Sequence, residues 1–223
     1  MVTLPFQNRS HAGRLLGAKL AAQQLANAVV VALPRGGVPV GAEVADVLQA
    51  PLDVLVVRKL GVPWQPELAM GAIAGGTRVL DPQIVRELGI TDDEIEDVVA
   101  KETLEMKRRQ KAYLGDRPPA DLEGRTVVLV DDGLATGSTM LAAVRHVRAS
   151  HPGKLIVAVP VSSREASRRL QAEADGFVCL AFPEPFQAVG HWYADFHQVT
   201  DAEVEATSPA ARLASASRTS DAR

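Results

Sequence analysis

Short apolar runs alternate along this chain with longer segments whose apolar residues recur at helical spacing. Five runs have the length and β-branched content of buried strands, at residues 28–33, 53–57, 126–130, 155–161 and 176–180. Four helical segments precede or separate them, at residues 10–25, 38–48, 138–149 and 163–174. Strands that are joined by helical crossovers lie parallel. The pattern therefore predicts an α/β fold with a mostly parallel, twisted sheet flanked by helices.

The alternation is interrupted between the second and the third of these strands. Residues 69–74 and 77–80 predict a short hairpin, and residues 61–66, rich in glycine and proline, predict a loop before it. A short helix is expected at residues 81–88. A longer charged helix is predicted over residues 91–113, where charge pairs four positions apart support it. A minimal sheet-and-crossover domain does not need this extra helix.

The composition is that of a globular domain. Of the 223 residues, 47% are hydrophobic and 23% are charged, which suffices for a core. The net charge of −3 gives no general attraction to nucleic acid, and no apolar run approaches the roughly 20 residues that span a bilayer. Cys179 is the only cysteine, so an internal disulfide framework is excluded. We expect one cytoplasmic domain over residues 1–207, a flexible tail over residues 208–223, and neither nucleic-acid nor membrane partners.

The segment of residues 127–139 is the strongest candidate for chemistry. Four apolar residues are followed by Asp131 and Asp132, then by a loop of glycines and hydroxyls that enters a helix. Ligands of open α/β sheets bind at the carboxyl ends of strands, and free N–H groups at a helix start attract phosphate. Two carboxylates repel phosphate but accept hydrogen bonds from a vicinal diol. The segment predicts a sugar-phosphate site, while an acidic turn before a capped helix is the alternative.

Residues 127–139 resemble the 13-residue motif with which type I phosphoribosyltransferases bind 5-phosphoribosyl-1-pyrophosphate (PRPP), and every position of the motif is filled. The resemblance implies that Asp131 and Asp132 hold the ribose hydroxyls and act in catalysis, with any metal contact made through water. Mg²⁺, bridging oxygens of PRPP, is the implied cofactor. The implied 5-phosphate loop consists of Ala135, Thr136, Gly137, Ser138 and Thr139.

Two further segments have counterparts in the resembled fold. Arg35, Gly36 and Gly37 follow the first strand, where the family binds pyrophosphate through backbone amides and a basic side chain. Arg58 and Lys59 end the second predicted strand, before the glycine- and proline-rich segment. Similar enzymes have a mobile loop there, so either side chain could act in catalysis by neutralising the leaving pyrophosphate. Ordinary turns and a solvated strand end are the alternatives.

Aromatic residues make up only 4% of the chain, yet they gather near its C-terminus. The resembled fold carries a variable hood whose flat side chains stack on a base. We expect a small hood built from the N-terminal region and residues 181–205, with Phe186, Trp192 and Tyr193 as candidate base-binding residues. Simple core packing of these rings is the competing interpretation.

Over residues 5–205 the chain is similar to bacterial phosphoribosyltransferase-domain proteins of undefined substrate. The similarity rests on the sequences PRGG, RK followed by PELAMGAIA, and FQAVGHWYADF. It implies transfer of the 5-phosphoribosyl group from Mg·PRPP to a nucleobase-like acceptor with release of pyrophosphate. We also expect a homodimer. A PRPP-binding regulatory protein without catalysis is the alternative on the same fold. A dehydrogenase or an NTPase is disfavoured, because neither glycine-rich fingerprint occurs.

Overall fold

Strands and helices alternate along the chain in the computed structural model, which describes residues 2–207. The tail expected over residues 208–223 lies outside the described residues. The described part contains these strands: β1 (Ala28–Ala32), β2 (Leu52–Val54), β3 (Val57–Val62), β4 (Gln65–Ala74), β5 (Thr77–Leu80), β6 (Thr126–Val130), β7 (Lys154–Val161) and β8 (Gly176–Ala181). It contains these helices: α1 (Arg9–Ala21), α2 (Gly37–Leu48), α3 (Pro82–Glu87), α4 (Asp92–Leu114), α5 (Ser138–Arg148), α6 (Arg164–Gln171) and α7 (Asp201–Thr207).

The main sheet has five parallel strands in the order β2-β1-β6-β7-β8. Successive residues of each strand face opposite sides, so both sides are apolar. One side packs against α1 and α2, and the other against α5 and α6. The predicted α/β class, with a mostly parallel sheet flanked by helices, is confirmed.

A second sheet, antiparallel and of order β3-β4-β5, corrects the sequence interpretation. The strand predicted over residues 53–57 is two strands, β2 and β3, which belong to different sheets. The loop predicted over residues 61–66 is the end of the β3–β4 hairpin, in which Val62 pairs with Gln65. The register shifts on both sides of Gly61, so this glycine marks a bulge and not a loop.

The long charged helix expected over residues 91–113 is α4. Thr91 begins it with a capping box, in which its hydroxyl accepts from the Glu94 N–H while the Glu94 carboxylate accepts from the Thr91 N–H. Along its length α4 packs against β3 and against α7. No helix within residues 2–207 combines the length and the apolar character that a membrane span needs.

The two ends of the described chain meet beyond the carboxyl edge of the main sheet. Phe6 forms a bridge with Tyr193, and its ring is buried beside Ala12 and Val161. This aromatic cluster includes the 3₁₀ turn Val189–Trp192. The N-terminal region and the segment after β8 therefore lie together, which is where the hood was expected.

Candidate functional site

The acidic pair and the PRGG loop lie side by side, because β1 and β6 are neighbouring parallel strands that end at the same edge. A Cβ added at Gly36 would overlap the carboxylate of Asp132. A Cβ added at Gly37 would lie 2.7 Å from the carbonyl oxygen of Val130 and 2.9 Å from Cα of Asp131. Only residues without a side chain allow this approach. The two glycines thus bring the predicted pyrophosphate loop against the predicted diol site.

Residues from both ends of the chain hold Asp132 in place. Arg9, at the start of α1, donates from Nε to Asp132 Oδ2 over 2.8 Å and from Nη1 to the carbonyl of His197, also over 2.8 Å. Its guanidinium lies 3.8 Å from the centroid of the Phe196 ring. The Tyr193 hydroxyl donates to the backbone carbonyl of Asp132. The carboxylate of Asp132 is therefore fixed before any ligand arrives.

Arg9 was missed in the sequence, although a signal for it exists. The buried residues of α1 recur at helical spacing and are Arg9, Ala12, Gly13, Leu16, Gly17 and Leu20. An arginine on an otherwise apolar stripe needs a buried anionic partner, because an unpaired charge is too costly to bury. The sequence could not name Asp132 as that partner, since the two residues are far apart along the chain.

Burial sets the protonation chemistry of the acidic pair. Desolvation, and then repulsion from Asp132, raise the pKa of Asp131 well above its ordinary value. The pKa of Asp132 is also raised by desolvation, while the charge and hydrogen bond of Arg9 oppose that rise. Asp131 Oδ1 accepts the Asp132 backbone N–H over 2.8 Å. Two buried carboxyls that gain from new donors are suited to the hydroxyls of a sugar.

The loop that was predicted to bind phosphate is held by contacts with three neighbouring parts of the structure. The backbone N–H of Leu134 donates to Val161 on β7, over 3.0 Å. Ser163, the N-cap of α6, donates from its hydroxyl to the carbonyl of Ala135 over 2.6 Å. A Cβ added at Gly133 would lie 2.6 Å from Val189. The loop backbone is thus supported by β7, by α6 and by the aromatic cluster.

Helix α5 starts without a capping side chain, contrary to the alternative that a hydroxyl of this loop caps it. Gly137 occupies the N-cap with φ of 74°, and the local side-chain contacts are long, at 3.5 Å from the Ser138 N–H to the Thr136 hydroxyl and 3.4 Å between the hydroxyls of Thr136 and Ser138. The first N–H groups of an uncapped helix are free for an anion. Thr136 and Thr139 are exposed beside them. The geometry suits a phosphate group.

A cavity of about 410 Å³ separates this loop from the β3–β4 hairpin. Thr136, Ser138 and Thr139 line one wall, and Lys59 lines another. The ammonium of Lys59 donates to the carbonyl of Glu67 within the same hairpin. Lys59 is thus brought to the predicted phosphate loop, opposite the hydroxyls.

Arg58, the other catalytic candidate of this strand, does not line the cavity. Neighbouring residues of a strand face opposite sides. Arg58 therefore faces α4, where its Nε and Nη2 bind Glu102 over 2.8 and 2.6 Å. Its role is to hold the hairpin sheet to the charged helix.

Arg35 projects from the PRGG loop towards α7. Its Nη1 lies 3.9 Å from Asp201 Oδ1, and its side chain is about one third exposed. Asp201 also accepts the hydroxyl of Tyr113 on α4 and lies 3.9 Å from Arg108. The contact with Arg35 is too long for a hydrogen bond, so the guanidinium keeps its donors for another anion.

The three candidate base-binding aromatics occupy different positions. Tyr193 is buried between Phe6 and Phe196, at centroid distances of 5.5 and 5.1 Å, and this position leaves its ring no free face. Its assignment as a base-stacking residue is therefore corrected, because the ring supports Asp132 from within the core. Phe186 and Trp192 lie half-buried at the outer side of the cluster, with their ring centroids 6.3 Å apart.

The acidic pair fits a magnesium ion that is held mainly by a substrate. No group of three metal-ligating side chains occurs among residues 2–207. Oδ2 of Asp131 and Oδ1 of Asp132 have no hydrogen-bond partner in this part of the chain. Magnesium prefers such oxygens, together with waters and substrate phosphates. The expected water-mediated contact of the two carboxylates with magnesium stays a prediction.

Comparison with known proteins bears on this geometry. The model of the family described as phosphoribosyl transferase domain matches residues 8–191. The chain belongs to this family. The matched segment includes the PRGG loop, the hairpin sheet, the acidic pair and the predicted phosphate loop.

Relatives and solved structures agree with the assignment. The Mycobacterium tuberculosis protein named "Putative phosphoribosyl transferase" is 48% identical over 202 residues, which are 90% of this chain and 46% of that protein. The chain thus spans about half the length of the curated relatives it matches. The crystal structure of TT1426 from Thermus thermophilus is 46% identical, with a TM-score of 0.79, and the likeness covers 92% of this chain and 97% of that one.

Proposed function

We propose that residues 1–207 form a PRPP-dependent phosphoribosyltransferase, which transfers the 5-phosphoribosyl group to a nucleobase-like acceptor and releases pyrophosphate. One observation carries the proposal. Carboxyls for a diol, an uncapped helix start for a phosphate, and a glycine loop whose Arg35 makes only a long ion pair of 3.9 Å to Asp201 lie at one sheet edge. Family membership supports a transferase of this class. The substrate, the metal and the acceptor are the finer parts of the proposal.

Each recognition element matches one part of PRPP. Asp131 and Asp132 accept hydrogen bonds from the ribose 2- and 3-hydroxyls, because their free oxygens face no other donor within residues 2–207. The 5-phosphate binds the first N–H groups of α5 and the hydroxyls of the loop. The pyrophosphate binds the backbone of the PRGG loop and Arg35.

The reaction breaks the bond between C1 of the ribose and the pyrophosphate oxygen, and it forms a bond from C1 to a ring nitrogen of the acceptor. The electron pair of the broken bond leaves with pyrophosphate, and the acceptor nitrogen loses its proton to the departing pyrophosphate or to solvent. Positive charge develops on the ribose as the bond loosens, so the protein acts mainly by positioning and electrostatics. Mg²⁺, when bound, supplies charge neutralisation at the diphosphate.

The β3–β4 hairpin closes the site in this proposal. Trp64 and Leu68 are exposed near its tip, at 56% and 36%. Closure brings apolar side chains and Lys59 over the substrate and excludes water, which competes with the acceptor for the activated sugar. Phe186 and Trp192 at the outer hood are the proposed contacts of the base. The homodimer and the cytoplasmic location stay predictions.

Pyrophosphate release tests the proposal. Mg·PRPP is incubated with each of a panel of purine and pyrimidine bases, and pyrophosphate is measured with the wild type and with Asp132→Asn. Release by the wild type with at least one base, and at least tenfold slower release by the variant, is the expected result. Tight PRPP binding without release from any base supports the regulatory alternative. PRPP affinity is measured separately for the wild type and for Asp132→Asn. Equal affinity of the two proteins contradicts the diol assignment.

A further inference from the structure

Helix α6 packs directly against the proposed phosphate loop. A Cβ added at Gly137 would lie 3.2 Å from Ala166 Cβ and 3.4 Å from Leu170 Cδ1. The start of the helix is fixed by Ser163, whose N–H donates to the Leu134 carbonyl over 2.9 Å. The backbone of α6 from which a side chain beside Ala166 and Leu170 projects is therefore fixed relative to the loop.

Arg169 is such a side chain. It lines the 410 Å³ cavity together with Thr136, Ser138 and Thr139. Within residues 2–207 it has neither a hydrogen bond nor an ion pair, whereas Arg164 on the same helix is paired with Glu184. An unpaired guanidinium beside an uncapped helix start has the charge and the donors for an anion.

The other charged groups that line this cavity are distributed unevenly. Lys59 enters from the hairpin, while Glu67 and Asp81 belong to the hairpin sheet and the turn after it. Asp81 is occupied, because its carboxylate accepts the N–H groups of Gln83 and Ile84 at the start of α3. On the side of the phosphate loop, Arg169 is the charged residue that lines the cavity.

We infer that Arg169 is a further substrate-binding residue, which contacts the 5-phosphate of the ribose from α6. The inference rests on the proposed function. The N–H groups of α5 and the loop hydroxyls are neutral donors, whereas a guanidinium adds a positive charge and two directed donors for a doubly charged phosphate. Arg169 thereby selects a ligand that carries a 5-phosphate, whereas Arg35 acts on the pyrophosphate at the other end.

Binding of two partial ligands separates these roles. Calorimetry measures the affinity for ribose 5-phosphate and, separately, for pyrophosphate with magnesium. Arg169→Gln is expected to bind ribose 5-phosphate about tenfold more weakly, with unchanged pyrophosphate affinity. Arg169→Lys retains part of the affinity. Arg168→Gln is the matched control, because Arg168 is exposed on the same helix and does not line the cavity. It should match the wild type for both ligands.

Three results would overturn the inference while the wild type still binds ribose 5-phosphate. They are an unchanged affinity in Arg169→Gln, an equal loss in Arg168→Gln, and an equal loss for pyrophosphate. The last two would show a general effect of charge. Turnover gives an independent measurement, since KM for PRPP should rise in Arg169→Gln while kcat stays within about twofold. A wild type that binds neither ligand contradicts the proposed function itself.

Discussion

The carboxyl edge of the main sheet and the tip of the β3–β4 hairpin are built in opposite ways. At the sheet edge, Asp132 is fixed by Arg9 and Tyr193, and Gly36 packs against it without room for a methyl group. At the hairpin, Trp64 and Leu68 project from a tip with little buried surface. One region is organised before substrate arrives. In the other, only the exposed tip at residues 64–68 moves at low cost, because Leu60, Val62 and Met70 next to it are fully buried.

The two regions are therefore suited to different functions. A site that stabilises developing charge must hold its groups before the reaction, because reorganisation during the reaction reduces the gain. A cover must release product, so weak packing is useful there. Substitutions at the sheet edge should therefore damage binding and chemistry severely, and substitutions on the hairpin should have smaller effects.

Gly36→Ala is expected to give the largest loss. The added methyl group overlaps the Asp132 carboxylate, which cannot withdraw because Arg9 holds it. Either the loop or the carboxylate must shift, and displacements of about 1 Å reduce rates by about 100-fold or more. We expect kcat/KM for PRPP to fall by more than about 100-fold. Gly176→Ala is the control, since its methyl group would lie 3.3 Å from Ile156, away from the site; an equal loss there would remove the argument.

Asp131→Asn should separate activity from stability. Burial raises the pKa of Asp131, so the folded protein binds this proton more tightly than the unfolded chain, whose pKa is near 3.8. Wild-type stability therefore falls as pH rises from about 3.8 through the folded pKa. Asparagine keeps the acceptor for the Asp132 N–H and carries no charge.

Asp131→Asn should raise the melting temperature but weaken PRPP binding. At pH 7.5 the Asp131→Asn variant should melt at a higher temperature than the wild type, and the difference should shrink as pH approaches about 4. PRPP binding should weaken about 50-fold, because a charged acceptor of a hydroxyl is lost. A variant that melts below the wild type at pH 7.5 would show that Asp131 stabilises the fold.

Arg9→Met tests how the site is held from outside the motif. Arg9 lowers the pKa of Asp132 against the effect of burial, so its removal raises that pKa further. The acidic limb of kcat/KM for PRPP should move to higher pH, with a loss of about 20-fold near neutrality. Arg9→Lys keeps the charge and should keep the limb near its wild-type position. A pH profile that is unchanged in Arg9→Met would contradict this role.

The local parts of the site were predictable from sequence because each is encoded in consecutive residues. An apolar strand, two acids and a glycine-hydroxyl loop entering a helix give the same geometry wherever the chain forms a βαβ unit. The structure places the 127–139 segment and the PRGG loop at one edge for that reason. The sheet, its flanking helices and the charged helix α4 follow from apolar periodicity.

Contacts between distant segments were not predictable in the same way. The apolar stripe of α1 indicates that Arg9 is buried, but nothing local indicates that it meets Asp132. Tyr193 was assigned to a base because aromatic rings clustered in sequence, and its burial behind Asp132 depends on Phe6 at the other end of the chain. The glycine at the hairpin bulge was interpreted as a loop, since a bulge shows itself only in the pairing with β4.

Substitutions in the hairpin should have the smallest effects on activity, and the neighbouring residues Lys59 and Arg58 can be compared directly. Lys59 lines the cavity, whereas Arg58 on the opposite face binds Glu102 of α4. We expect Lys59→Gln to lower kcat/KM for PRPP about tenfold without changing the melting temperature, since an exposed lysine adds little to stability. Arg58→Gln should leave kcat/KM within about twofold and lower stability by about 1 kcal/mol, because a half-buried ion pair is lost.

Measuring both quantities on both variants makes this contrast decisive, because each variant is the control of the other. A strand that presents two cations to opposite sides cannot use both at one ligand. If Arg58→Gln slowed turnover while Lys59→Gln did not, the hairpin would have to rotate its other face to the substrate, and the ion pair with Glu102 would have to break on closure. If both variants lost turnover equally, the cover would act through its position against α4 and not through a side chain in the cavity.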